Sequence, residues 1–110
     1  MKYIKTFEYD DNKMYIDDYV LLDISNLAIT SDKEQQQQFV EFINNTIGQI
    51  VESFSRNIIV KYENIPFHLR HLFAYEDKIY SIYISKDNVV LYDMKKENLK
   101  LKIEARKYNL

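Results

Sequence analysis

Hydrophobic and polar positions change period several times along this chain, and those changes divide it into elements. Between Tyr15 and Ile24, the residues Ile16, Val20, Leu22 and Ile24 fall on one side at period two, with Asp17 and Asp23 on the other, which predicts a strand. Before it, Tyr3 and Phe7 predict a short first strand closed by the polar stretch from Tyr9 to Lys13. The period then lengthens. Ser31-Asp32-Lys33-Glu34 has the form of a capping box, in which the Ser31 hydroxyl accepts from the Glu34 amide and Glu34 reaches back. A helix is predicted from there to about Asn44, with Phe39, Val40, Phe42 and Ile43 as its apolar side. Asn44-Asn45 tolerate the left-handed conformation of a helix stop, and Gln35 to Gln38 read as solvated surface in the first two turns.

Two β-rich runs follow, Ile47 to Phe54 and Ile58 to Glu63, around the polar turn Ser55-Arg56-Asn57, and predict a hairpin. Pro66 is expected as the first residue of a short helix carrying Phe67, Leu69, Leu72 and Phe73. Ile79 to Ile84 and Val89 to Tyr92 alternate again and, joined by Ser85-Lys86-Asp87-Asn88, predict a second hairpin. The tail from Lys95 to Tyr108 fits two periods. Leu99, Leu101, Ile103 and Ala105 alternate as in a strand, yet Leu99/Ile103 and Leu101/Ala105 are also helical i,i+4 pairs. Its Lys, Glu, Leu, Ala and Arg content favours helix.

Composition sets the class. A length of 110 residues suits one domain spanning 1–110 with one core, and 46% apolar with 15% aromatic residues, including ten Tyr, excludes a disordered chain. The absence of cysteine removes disulfides, thiolate metal sites and a sulfhydryl nucleophile. No apolar run approaches the roughly 18 residues of a membrane span, and Met-Lys-Tyr-Ile-Lys-Thr-Phe-Glu lacks the apolar core of a signal peptide, so a cytoplasmic protein with no membrane contact is expected. The single glycine, Gly48, implies a backbone requirement: a positive φ, a bulge or close backbone approach at the start of a curved strand.

Charge is uneven although the net value is −2: residues 1–50 carry four basic against nine acidic side chains, and residues 51–110 eleven against eight. The basic excess lies late. Lys95, Lys96, Lys100, Lys102, Arg106 and Lys107 form the segment expected to meet an acidic partner, protein or nucleic acid. In a helix, Lys96, Lys100 and Lys107 would gather on one side; in a strand, Lys100, Lys102 and Glu104 would share a face.

Ile47-Gly48-Gln49-Ile50-Val51-Glu52, followed by Asn57-Ile58-Ile59-Val60-Lys61-Tyr62-Glu63, resembles the KOW-type pattern of Src-homology-3-like barrels. Tyr15 to Leu22 is similar to the first barrel strand of such domains, with Asp17 standing where that pattern has a glycine. The resemblance implies an α+β fold: a small Src-homology-3-like β-barrel with an inserted helix and a C-terminal helix. The whole chain also resembles small bacteriophage proteins that share the opening Met-Lys-Tyr-Ile-Lys-Thr-Phe-Glu, the Asp-Tyr-Val-Leu-Leu strand, the Ile-Gly-Gln-Ile-Val hairpin and a terminal Lys-Tyr-Asn-Leu. That group brings a fold and a phage setting but no activity.

Catalytic chemistry finds little support. One glycine allows no phosphate loop, and no nucleophile elbow or Ser/His/Asp pattern is present. His68 and His71 are three apart but lack further ligands, so neither a metal nor another cofactor is expected. The acidic pairs Asp10/Asp11, Asp17/Asp18 and Glu76/Asp77 read as structural or solvated. Tyr80 and Tyr83 fall on opposite strand faces, one in the core and one partly exposed. The expected function is therefore that of a non-enzymatic phage accessory protein acting by protein–protein interaction, for instance by blocking a host defence system such as CRISPR. Nucleic-acid binding through the basic tail is the alternative, and a structural virion component the third reading.

Overall fold

The structure, a computed structural model, describes residues 13–108. The strand predicted at Tyr3–Phe7 and the Asp10/Asp11 pair lie outside the described residues. Six strands and two helices follow: β1 (Tyr19–Leu22), α1 (Lys33–Asn44), β2 (Gly48–Ser53), β3 (Asn57–Tyr62), β4 (Ala74–Glu76), β5 (Ile79–Ser85), β6 (Val89–Asp93) and α2 (Lys96–Tyr108). They make a small α+β domain with one antiparallel sheet in the order β4-β5-β3-β2-β1-β6.

The strand predicted from Tyr15 is shortened by a turn. Tyr15 O accepts from the Asp18 amide at 3.1 Å, and Asp17 adopts φ 78. The Asp18 carboxylate accepts from the Tyr15 amide at 3.0 Å and is buried in doing so, which gives one member of that acidic pair a structural role. Ile16 is therefore 53% exposed, whereas Val20, Leu22 and Ile24 enter the core as the alternation requires.

The α1 cap sits one residue later than the capping box predicts: the Asp32 carboxylate accepts from the Gln35 amide at 3.0 Å, ahead of a helix starting at Lys33. The helix ends at Asn44 as expected but without a left-handed residue, since Asn45 has φ −116. Instead the Asn44 carboxamide accepts from the Ile24 amide at 2.8 Å and donates to Ser25 Oγ at 2.9 Å, fastening the helix end to the chain leaving β1. The glutamine run is only partly solvated surface. Gln36 binds the Ile29 and Thr30 amides and the Leu27 carbonyl, while Gln38 and Gln35 meet His68 Nε2 and His71 Nε2 at 2.9 and 3.1 Å. The short helix is a 3₁₀ segment, Phe67–Leu72, and Pro66 precedes it rather than opening it.

The β2–β3 hairpin forms as predicted, with Val51 bulged between the Ile50↔Val60 and Glu52↔Ile59 pairs. The second hairpin does not. β5 turns back onto β4, which the sequence did not show, through Asp77 and Lys78, both at positive φ as a tight primed turn requires. β6 pairs with β1 at the other end of the order. In a flat sheet β5 and β6 would lie about 19 Å apart, four strand spacings. The 3₁₀ link Lys86–Asn88 spans roughly 8 Å. Only strong curling reconciles the two. The curl is held where Lys86 N donates to Arg56 O and Asp23 N to Asn88 O, each at 2.9 Å. No ladder joins β5 to β6, so the sheet stays open.

The concave face carries the core: Val20, Leu22, Ile50, Ile58, Val60, Tyr62 and Ile84 from strands, Phe39 and Ile43 from α1, and Leu69 and Phe73 from the 3₁₀ segment and its exit. Phe39 meets Phe73 edge-on at 5.1 Å between centroids. Gly48 has no positive φ. What demands glycine there is space, since a Cβ would collide with Val60 Cγ1 and stand 2.8 Å from Tyr62 Cζ. Of the three requirements foreseen, close approach applies, against side chains rather than backbone. On the opposite face α2 covers β1 and β6, where Leu21 and Leu99 are buried apart from the main cluster.

Candidate functional site

The tail is helical, and the structure divides its six basic residues among different neighbours. Lys95 precedes α2, its amide donating to Asp93 Oδ1 at 2.9 Å. Lys102 turns back to the sheet, its amine 3.0 Å from Asp93 Oδ2 and 3.0 Å from the Tyr92 carbonyl. The Lys95 amide first, and then Lys102, hold the Asp93 carboxyl below the usual carboxylate range. Lys107 lies 3.6 Å from Glu104. Arg106 is felt at Asp23, whose carboxyl is held low chiefly by the Ser25 hydroxyl and amide. In the helix Lys96, Lys100 and Lys107 share one side, as expected, but Lys107 does not reach the cleft near the start of α2. Lys96 and Lys100 line that cleft, of about 370 Å³, with Lys61, Glu63, Tyr19, Thr46 and Gln49, between the start of α2 and the outer faces of β2 and β3.

Lys61 was not legible as part of this group. The register supplies it, because Asp93, Tyr19, Gln49 and Lys61 are successive cross-strand partners on the face that α2 partly covers. Gly48 also borders this cleft.

A second surface feature comes from three segments. In the 3₁₀ segment, residues three apart eclipse, which stacks Arg70 on Phe67. The Arg70 guanidinium carbon lies 5.6 Å from the Phe67 ring centre and 5.7 Å from that of Tyr80 on β5, and the Tyr80 ring centre is 4.5 Å from that of Tyr75 on β4, the two planes tilted by 41°. Tyr80 packs against the core and anchors the column. Phe67 is 83% exposed and Tyr75 60%. Arg70 Nε donates to the Ile65 carbonyl at 3.2 Å, which fixes the guanidinium plane. The Phe67/Arg70 spacing was the available signal; their meeting with Tyr75 and Tyr80 was not readable from one strand's alternation. Of the Tyr80/Tyr83 pair on opposite faces of β5, Tyr80 is half-buried against the core and Tyr83 is exposed, 6.1 Å from Phe54.

Both histidine rings are engaged by glutamines, and among the described residues no three or more His, Asp or Glu are grouped to hold a metal ion. The Tyr62 hydroxyl is buried without a hydrogen-bond partner, and burial pushes its pKa up. No helix among the described residues is long and apolar enough to cross a membrane. Comparison of the chain with protein families, with curated proteins and with solved structures finds no match.

Proposed function

We propose that this chain is a non-enzymatic binding module of the phage type its sequence resembles, and that it docks a protein partner on the Phe67–Arg70–Tyr80–Tyr75 column. The observation that carries this reading is the exposure of Phe67 and Tyr75 within a stack whose geometry is already set. Tyr and Arg are among the side chains that dominate binding energy at protein interfaces, and Phe is enriched at interface cores. A guanidinium held between rings loses little further freedom on binding. Among the described residues Arg70 has no carboxylate partner. The fitting partner is therefore a protein surface with an apolar pocket for Phe67 and an Asp or Glu beside it for Arg70. In a phage setting such a module acts by occluding a host protein's surface.

The barrel relationship is part of the same proposal. It is supported by the strand order, in which β6 returns beside β1 after the run β1-β2-β3-β5, and by the curl that the link Lys86–Asn88 imposes. Asp17 supports it too, being left-handed where the KOW-type pattern has glycine.

The test is capture from host-cell lysate on immobilised wild type, Phe67→Ala, Arg70→Glu and Lys107→Gln, with melting curves confirming that each variant folds. A protein retained by wild type and Lys107→Gln but lost from the other two is the expected result. Equal capture by all four, or none by wild type, would overturn the proposal.

A further inference from the structure

We infer that the cleft between α2 and the outer faces of β2 and β3 is a phosphate site, with Lys61, Lys96 and Lys100 as its cationic groups and a nucleotide phosphate, free or within a single strand, as its ligand. This site shares no residue with the aromatic column and does not rest on the protein-partner reading.

Three lysines line one concavity in a chain whose net charge is −2. Glu63 is the one carboxylate among the lining residues, and none of the three lysines is in an ion pair with it or with any other described residue. The neighbouring lysines are treated differently: Lys102 is tied to Asp93, and Lys107 lies against Glu104. Three like charges sharing one cleft with a single carboxylate repel one another, and a bound anion relieves the surplus of two. A multiply charged anion matches a surplus of this size better than a single carboxylate does. Lysine amines act as point charges, which suits phosphate oxygens approached from several directions, and no arginine fork is present among the lining residues to select a planar carboxylate. The volume is that of a small-ligand pocket. The half-exposed Tyr19 at its wall offers a flat ring on which a base can stack.

The probes are a fluorescent ATP analogue and a labelled decathymidylate, followed by anisotropy at low and physiological salt. Both are expected to bind wild type, and Lys61→Gln with Lys100→Gln is expected to weaken both at least about tenfold. Lys107→Gln and Phe67→Ala should leave them unchanged. For the oligonucleotide, three phosphate contacts give a slope of log K on log salt of about −2, falling to about −0.7 in the double variant. ATP that binds tighter than the oligonucleotide and displaces it completely assigns the site to free nucleotides; the reverse order assigns it to a strand. If Lys61→Gln disturbs the sheet, Lys96→Gln with Lys100→Gln repeats the test from the helix alone. Failure of both probes to bind at low salt, or binding that survives the cleft variants, would overturn the inference whatever the outcome of protein capture.

Discussion

Replacing Gly48 by alanine tests how this sheet is packed, because the added methyl has no room while the backbone conformation needs no glycine. Its Cβ would collide with Val60 Cγ1 and stand 2.8 and 2.9 Å from Cζ and Cε1 of Tyr62. Carbon atoms in comfortable contact lie about 3.5–4.0 Å apart, so the Tyr62 ring must retreat by roughly 0.7 Å or more. It has little space to do so, with Tyr62 4% and Val60 0% exposed in the core. Overpacking of this kind costs about 1–3 kcal/mol. For a domain of this size that lowers the melting temperature by roughly 5–20 °C, and Gly48→Val should lie at or beyond the upper end. The diagnostic is a double-mutant cycle followed by thermal and urea melts. Val60→Ala alone should destabilise by opening a cavity, but combined with Gly48→Ala it should cost less than the sum, by about 0.5–3 kcal/mol of coupling. A strained backbone would give no such rescue. An unchanged melting temperature for Gly48→Ala, or strict additivity with Val60→Ala, would refute the steric account.

Three further outcomes follow from the same structure. Asp32→Ala should cost about 1 kcal/mol in urea melts as the lost cap of α1, whereas Ser31→Ala should stay within about 0.5 kcal/mol; the reverse order would restore the capping box. Tyr62→Phe should be neutral or up to about 2 kcal/mol stabilising, because it removes a buried hydroxyl that has no partner, and a clear loss of stability would mean the hydroxyl is bonded. Asp93 has a lowered folded pKa, so its contribution is present above the ordinary aspartate value of about 3.9 and is lost as pH falls through the folded value; melting temperature against pH should flatten on that acid limb in Asp93→Asn, and an unaltered limb would contradict the role given to Lys95 and Lys102.

Elements whose residues carry a period were legible in the sequence, and partners fixed by three-dimensional closure were not. The β2–β3 hairpin, α1 and α2 follow from alternation, helical spacing and composition. The turn-like Ser85–Asn88 joins two alternating runs as a hairpin would, yet the pattern is equally that of a link crossing a curled sheet, so the partner of β5 is not encoded locally. β4 leaves no core-facing signature in the sequence because Ala74, Tyr75 and Glu76 are all exposed. The basic tail was visible as charge, but not its division, which depends on Asp93 and Glu104 taking Lys102 and Lys107 while the register brings Lys61 to Lys96 and Lys100. The aromatic column needed three segments to meet, and its one local trace was the spacing of Phe67 and Arg70.

The most direct test of the central claim is the affinity of the captured partner for wild type and for Phe67→Ala, measured by calorimetry on variants with matching melting curves. Phe67 acting as the anchor of a docked protein predicts a loss of about 2 kcal/mol or more, roughly a thirtyfold rise in Kd. A Kd within about twofold of wild type would contradict the account, since truncating an anchor residue costs far more than that factor.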